Sequence, residues 1–356
     1  LRKLAYGQGK WISAAGSQTP SVGTLITNIT STDGINWTGF AGGPAFYDNT
    51  GNTGPPVYNQ GTYKQFVDIL YENNIWVSVS RRGTLERAIS SPDGITWTSQ
   101  NTAGGATGAS SATAFNGIAY DQGQFVIVGD NTGSSFTNVS KIFTSPDGMI
   151  WTGRPILNGP NSVITDIDTT ATINTWQQSA YGDNKWVAVA SSGATKRVII
   201  STDGGLKWYS PSGLSNNMNT RSWQRIVYGN GLFVAVASDT VTTCIATSVN
   251  GINWTLRNSP ESTGLLSVYF SNGIFMACSQ TGKIIKSSDG INWEFIYNNP
   301  SYTELLYGIT YANGIWLANA NSGTLNRILR LDYILKTTSA SRPTPITKQI
   351  RFSSGI

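Results

Sequence analysis

Apolar and polar positions alternate along the chain in short runs, each bounded by Gly, Asn, Asp or Pro, which predicts β-strands joined by tight turns. The runs recur in pairs. An apolar strand, a turn and a second apolar strand appear as LAYGQGKWI from Leu4, ILYENNIWVSV from Ile69, IAYDQGQFVIV from Ile118 and SAYGDNKWVAV from Ser179. The pair returns as IVYGNGLFVAV from Ile226, VYFSNGIFMAC from Val268 and ITYANGIWLAN from Ile309. The aligned aromatics are Tyr6, Tyr71, Tyr120, Tyr181, Tyr228, Phe270 and Tyr311, at spacings of 65, 49, 61, 47, 42 and 41 residues.

A second motif follows each of the first six pairs. It reads STDGINW, SPDGITW, SPDGMIW, STDGGLKW, SVNGINW and SSDGINW. Its fixed residues are Asp33 with Trp37, Asp93 with Trp97, Asp147 with Trp151, Asp203 with Trp208, Asn250 with Trp254, and Asp289 with Trp293. Asp-Gly or Asn-Gly between two short strands is a strong hairpin signal, because these residues tolerate positive φ. Each unit therefore reads as four antiparallel strands: A ends at the Tyr, B carries the Trp/Phe-Val-Ala-Val run, C precedes the Asp-Gly turn, and D carries the Trp.

Four strands per unit, repeated seven times, predict an all-β, seven-bladed β-propeller of four-stranded antiparallel blades. The blades fall at about 1–40, 66–100, 115–154, 176–211, 223–258, 265–298 and 306–338, so 1–338 form one propeller and 339–356 a closing strand or linker tail. The seventh unit lacks the Asp-Gly turn; GTLNRILR from Gly323 is its strand C and YILKTTS from Tyr333 a poor strand D. A chain starting at Leu1 is expected to be processed or partial.

The second motif resembles the Asp-box of the bacterial neuraminidase repeat families, Ser/Thr-x-Asp-x-Gly-x-x-Trp/Phe. Ser201–Trp208 matches it in full; the other five copies are one residue shorter. That shorter form, with the Y-x-N-G turn and the F-V-A-V strand, is similar to sialidase-like and photosystem-assembly-factor-like propellers and to propeller domains of phage and bacterial surface proteins. These families include hydrolases, lectins, assembly factors and scaffolds, so the resemblance implies the fold and no chemistry. The boxes read as structural: the Asp or Asn accepts backbone N–H bonds, Gly supplies positive φ, and Trp packs beside the hairpin. Each offers one carboxylate or amide, where calcium takes six to eight oxygens, so no metal is assigned to them.

Composition narrows the chemistry. Of the 356 residues only 12% are charged, and the surface is built of Ser, Thr, Asn and Gly, which does not favour long exposed helices. The net charge of +5 is dispersed, which gives little support to nucleic-acid binding. There is no His, which excludes Ser-His-Asp hydrolysis and His-based zinc sites. Cys244 and Cys278 lie in apolar runs and read as two buried thiols, with one disulfide as the alternative. No apolar run is long enough for a membrane helix, and no cofactor is expected.

In such a blade the A–B and C–D turns share one face, and the B–C loops and blade connections share the other. The second face holds the length variation, in 39–64, 130–140, 153–175 and 211–221, and is where binding is expected. Trp176-Gln177 and Trp223-Gln224 approach it at equivalent positions, with Phe66, Phe115, Leu265 and Leu306 in the Trp place elsewhere. Two readings stand for the Trp pair: inter-blade core, or an aromatic platform with amide partners for a sugar. Arg81, Arg82, Arg221 and Arg225 lie on or near these loops and suit carboxylates. The acids left for this face are Asp48, Asp68, Asp130, Asp166, Asp168, Asp239, Glu261 and Glu304, and none form a recognisable glycosidase pair. The expected function is a non-enzymatic structural or adhesion propeller of a virion (phage tail, fibre or head decoration) or cell surface. Its partners are other virion or surface proteins or a cell-surface glycan, with no nucleic acid and no membrane insertion. The alternative is a photosystem-type assembly factor or a glycoside hydrolase-related propeller.

Overall fold

The computed structural model describes residues 1–14, 28–40, 66–81, 87–100, 113–131, 141–163, 174–193, 196–214, 216–320, 328–332 and 349–352. These form seven sheets, each with four antiparallel strands in the order A-B-C-D, and the strands A of successive sheets pack side by side around the axis. Blade 2 is typical, with strands Phe66–Glu72, Ile75–Ser80, Ala88–Ser91 and Thr98–Gln100. The chain is an all-β seven-bladed propeller.

The A–B turns are two-residue hairpins with positive φ at both central residues, as at Gln8 (50°) and Gly9 (75°), or Asn73 (50°) and Asn74 (60°). That geometry matches the strand twist, and it accounts for Asn, Asp, Gln and Gly at these positions. The Asp-Gly motif, read from sequence as a tight hairpin, is instead a wider connection. In blade 2 strand C ends at Ser91 and strand D begins at Thr98. Ser91 Oγ donates to Asp93 Oδ1 (2.9 Å) and accepts from Gly94 N (2.7 Å), and Asp93 Oδ1 accepts from Ile95 N (2.8 Å) and Thr96 N (2.7 Å). The Asp thus caps the turn with its side chain. Gly94 has φ of 70°, and a Cβ there would stand 2.5 Å from Ile12 Cδ1 of blade 1, so its small size also lets one blade's turn sit against the next.

These capped carboxylates couple the turns to pH. Backbone N–H donors hold Asp33, Asp93 and Asp289 below the usual range, Asp93 at about 2. A folded-state value below the unfolded one contributes stability that is present above about pH 4 and lost as pH falls through the folded value. Melting temperature is therefore expected to fall between about pH 4 and pH 2, and Asp93→Asn to flatten that slope with little cost at pH 7. Blade 5 already carries Asn250, whose Oδ1 accepts from Ile252 N and Asn253 N at 3.0 and 2.9 Å. An unchanged slope in the variant would refute the assignment.

The core lies between blades. Each strand-B aromatic is buried and packs on the strand-A aromatic of its own blade, from Tyr6–Trp11 (ring centroids 5.0 Å) to Tyr311–Trp316 (5.0 Å). Cys244 and Cys278 are free thiols, buried, with burial pushing them to about 11 and about 12. The ring closes through side chains: Leu317 and Ile328 of blade 7 join Leu4, Trp11 and Ile29 of blade 1, and Arg330 Nη1 donates to Asp33 O at 2.7 Å.

Two features extend the repeat. Ile156–Leu157 adds a parallel fifth strand to blade 4, beside Trp208–Tyr209. The fourth strand of blade 7 is Gln349–Phe352, paired with Ile328–Asp332. The segment 333–339, expected to be strand D, lies outside the described residues.

Candidate functional site: the axial mouth

Along a regular strand successive side chains point to opposite faces, which in strand A are the two neighbouring blades, with the strand's edge toward the axis. Strand A departs from this in six of seven blades. In blade 2 Phe66 pairs Ser80 and Asp68 pairs Val79, which leaves Val67 as the extra residue of a β-bulge. The same shift leaves out Asn116, Gln177, Gln224, Leu266 and Tyr307 in blades 3 to 7. A bulge re-aims side chains. All six of these residues, with Arg2 in the same place on blade 1, line one cavity of about 370 Å³ at the mouth of the central channel, on the face of the variable loops.

The cavity has two sides. Asn116, Gln177 and Gln224, from three successive blades, form an amide arc; Leu266, Tyr307 and Val67 form an apolar one. Each amide is anchored through its nitrogen: Asn116 Nδ2 donates to Trp176 O (2.8 Å), Gln177 Nε2 to Ser191 Oγ (2.8 Å), and Gln224 Nε2 to Ser238 Oγ (3.0 Å). This leaves the carbonyl oxygens as acceptors. Asn116 is 4% exposed and Asp130 8%, both line the cavity, and Asn116 Oδ1 and Asp130 Oδ1 have no hydrogen-bond partner among the described residues. Buried acceptors are rarely left unmatched, so this wall is suited to a ligand that donates.

The next residue along strand A ties the blades together. Asp68 is fully buried; its Oδ1 accepts from Lys3 Nζ (2.9 Å) and Ile69 N (2.9 Å). Its Oδ2 accepts from Arg225 Nη1 (3.1 Å), Gln178 Nε2 (3.0 Å) and Ile118 N (3.3 Å). Five blades meet on one carboxylate. Gly117 makes room for this, since a Cβ there would stand 2.6 Å from Gln178 Oε1. Burial alone would raise the Asp68 carboxyl, but the charges of Lys3 and Arg225 hold it below the usual carboxylate range.

Among the described residues the charged lining of the mouth is Arg2, Arg81, Arg225 and Asp130, above the Lys3–Asp68 pair. Arg81 Nη2 lies 3.6 Å from Asp130 Oδ2, and Arg87 and Lys141 are close enough to feel the Asp130 charge. Arg2 stacks over the Tyr307 ring at 4.3 Å, with its Nε buried and without a hydrogen-bond partner among the described residues.

Of the residues singled out by sequence, Gln177, Gln224, Arg81 and Arg225 meet in this cavity. Trp176 and Trp223 do not. Both are 0% exposed and packed in inter-blade core, and Trp223 Nε1 donates inward to Met218 O at 2.8 Å, so the aromatic-platform expectation is corrected: no ring face is free. Arg221 Nη2 donates to Thr243 Oγ1 at 3.0 Å away from the mouth, and Arg82, Asp48, Asp166 and Asp168 lie outside the described residues. Among the remaining acids, Asp239 caps Ser222 N and Glu261 pairs with Lys283 at 2.9 Å. Sequence reading missed Arg2, Asn116 and Tyr307. Their constant offset of four residues before the strand-A aromatic was the available signal.

Together the fold and this mouth define a class: a seven-bladed propeller with a bulge-built polar cavity on its axis. No protein-family model matches the chain, and no curated protein matches it in sequence. Among solved structures it is similar to YCF48 bound to a D1 peptide, with a TM-score of 0.55 at 12% identity, covering 89% of this chain and 87% of that one. It is also similar to a catalytically inactive virginiamycin B lyase from Staphylococcus aureus with quinupristin, with a TM-score of 0.57 at 10% identity, covering 90% and 91%. At these identities the likeness is one of fold. Among the described residues there is no metal-binding cluster, and no helix is long and apolar enough to cross a membrane.

Proposed function

We propose that the chain is a non-enzymatic adhesion propeller of a virion or cell surface, built on Asp-box turns, which takes a glycan at the axial mouth. The observation that carries this reading is the arc of amides Asn116, Gln177 and Gln224, which line one cavity of about 370 Å³ with their nitrogens already bonded to the protein, so that their oxygens are the groups left to accept. A ring of sugar hydroxyls supplies the donors such an arc lacks, and the volume falls in the range of small-molecule sites. Against catalysis stands Asp68, which is locked ionised between two cations and therefore has no proton to give as a general acid. The sparse charge and absence of His favour a surface or virion setting over a cytosolic enzyme.

A glycan array tests the reading. Wild-type protein is expected to bind a defined set of glycans, and Gln177→Leu with Gln224→Leu to lose them while melting within a few degrees of wild type. Binding that survives both changes would reject the mouth as the site. A second reading, capture of a protein segment at the same mouth, draws on the peptide bound to the similar YCF48. It is favoured if the array is blank and the chain copurifies with a virion or envelope protein in fixed stoichiometry, and that association is lost in the same double variant.

A further inference from the structure

We infer that copies of this chain stack head to tail, the face of the A–B and C–D turns of one copy seated on the loop face of the next. The inference goes beyond the glycan reading and does not rest on it, since the end copy of a stack keeps its loop face open.

Two observations carry it. The first is where the exposed apolar surface lies. Among the described residues seven large apolar side chains are exposed, and six of them, Ile95, Met149, Ile150, Leu206, Val249 and Ile291, sit in the C–D turns of blades 2 to 6. Ile150 is 71% exposed and Val249 63%. The hydrogen bonds of the turn do not ask for this: Ile150 stands where the other short turns have Asn or Thr. The turns are held in place by one another. Gln8 Nε2 and Asn230 Nδ2, in A–B turns, donate to Pro92 O (2.7 Å) and Ser288 O (3.0 Å) in the C–D turn of the next blade. Apolar groups gathered on one face mark an interaction surface, and a preformed rim loses little freedom when it docks.

The second observation is charge, and it names the occupant. The A–B turns with the strand residue on either side, and the C–D turns up to the Trp, hold eight acids: the five Asp-box aspartates, Glu72, Asp121 and Asp183. Against them stand Lys10, Lys185 and Lys207, a net of −5. The whole chain carries +5, so everything outside these turns carries +10. Counting Lys336, Arg342 and Lys348, from the stretch between the last two strands of blade 7, with the turns still leaves −2 against +7. The segments between strands B and C and between blades, over their full length, hold ten cations and seven acids. Two turn faces brought together would set acid against acid, which opposes a symmetric pair; turn face on loop face sets acid against base. A contact between unlike faces repeats from copy to copy, so it builds a column.

Sedimentation velocity of the full chain tests the inference. At about 20 mM salt the sedimentation coefficient is expected to rise with concentration past that of a dimer, and at about 500 mM to fall back toward the monomer. Ile150→Asn with Val249→Thr is expected to weaken association tenfold or more at an unchanged melting temperature, since both side chains are exposed. Glu72→Lys, also at an exposed position, is expected to weaken it as well. The apolar double variant keeps its loop face, so a labelled copy is still expected to bind one wild-type molecule and to end the column there. A plateau at a dimer that the labelled variant cannot join shows a symmetric pair and overturns the inference. A monomer at every concentration, or association untouched by these substitutions, also overturns it.

Discussion

Asp68→Asn is expected to destabilise the propeller by about 3–5 kcal/mol, the cost of breaking a buried ion pair by removing one partner. The substitution keeps the shape of the side chain and removes the charge that Lys3 and Arg225 share at 2.9 and 3.1 Å. Two cations then remain at the centre of the ring with no anion between them. Urea unfolding at pH 7 measures the effect, and a midpoint equal to wild type would show that the cluster is well solvated. The pH dependence has a definite sign. The folded-state carboxyl lies below its unfolded value, so the contribution of Asp68 is complete above about pH 4 and is lost as pH falls through the folded value. In the Asn variant that part of the acid sensitivity disappears.

Trp223→Ala is expected to cost about 3–5 kcal/mol of stability, as for truncation of any large buried aromatic. The side chain is 0% exposed and packs in the core around blades 4, 5 and 6, and its indole N–H is bonded to Met218 O at 2.8 Å. Trp176→Ala, also 0% exposed, belongs to the same class. Sugar affinity per folded molecule should be far less affected by either change than by Gln177→Leu with Gln224→Leu. The discriminating measurement is denaturant stability and ligand affinity on the same preparation. Wild-type stability with abolished binding would restore the platform role that their burial argues against.

Both outcomes turn on what could be read in the chain beforehand. The seven units, their four strands and the face carrying the variable loops were legible, because alternation, turn residues and the spacing of Tyr and Trp are local properties. The Ser-x-Asp-Gly turn was recognised, with its Asp accepting backbone N–H bonds and its Gly at positive φ as read; only its width was misjudged, since strand C ends at Ser91 and strand D begins at Thr98. Gln177, Gln224, Arg81 and Arg225 were picked out by position relative to the loops. Trp176 and Trp223 belong to the same strands, yet they turn the other way.

The reason is the bulge. Whether residue 176 or 177 faces the axis depends on how strand A pairs with strand B, and the register shift between Trp176 and Gln178 is a property of two strands together. Asp68 carries the same lesson over a longer range. It reads as one acid among several, and its partner Arg225 stands 157 residues away. By itself the sequence determined the repeat, the strands and the turns, since these follow from near neighbours in the chain. Closure of seven blades into a ring decided which side chains meet at its centre, because only there do strands A from remote parts of the chain come within hydrogen-bonding distance.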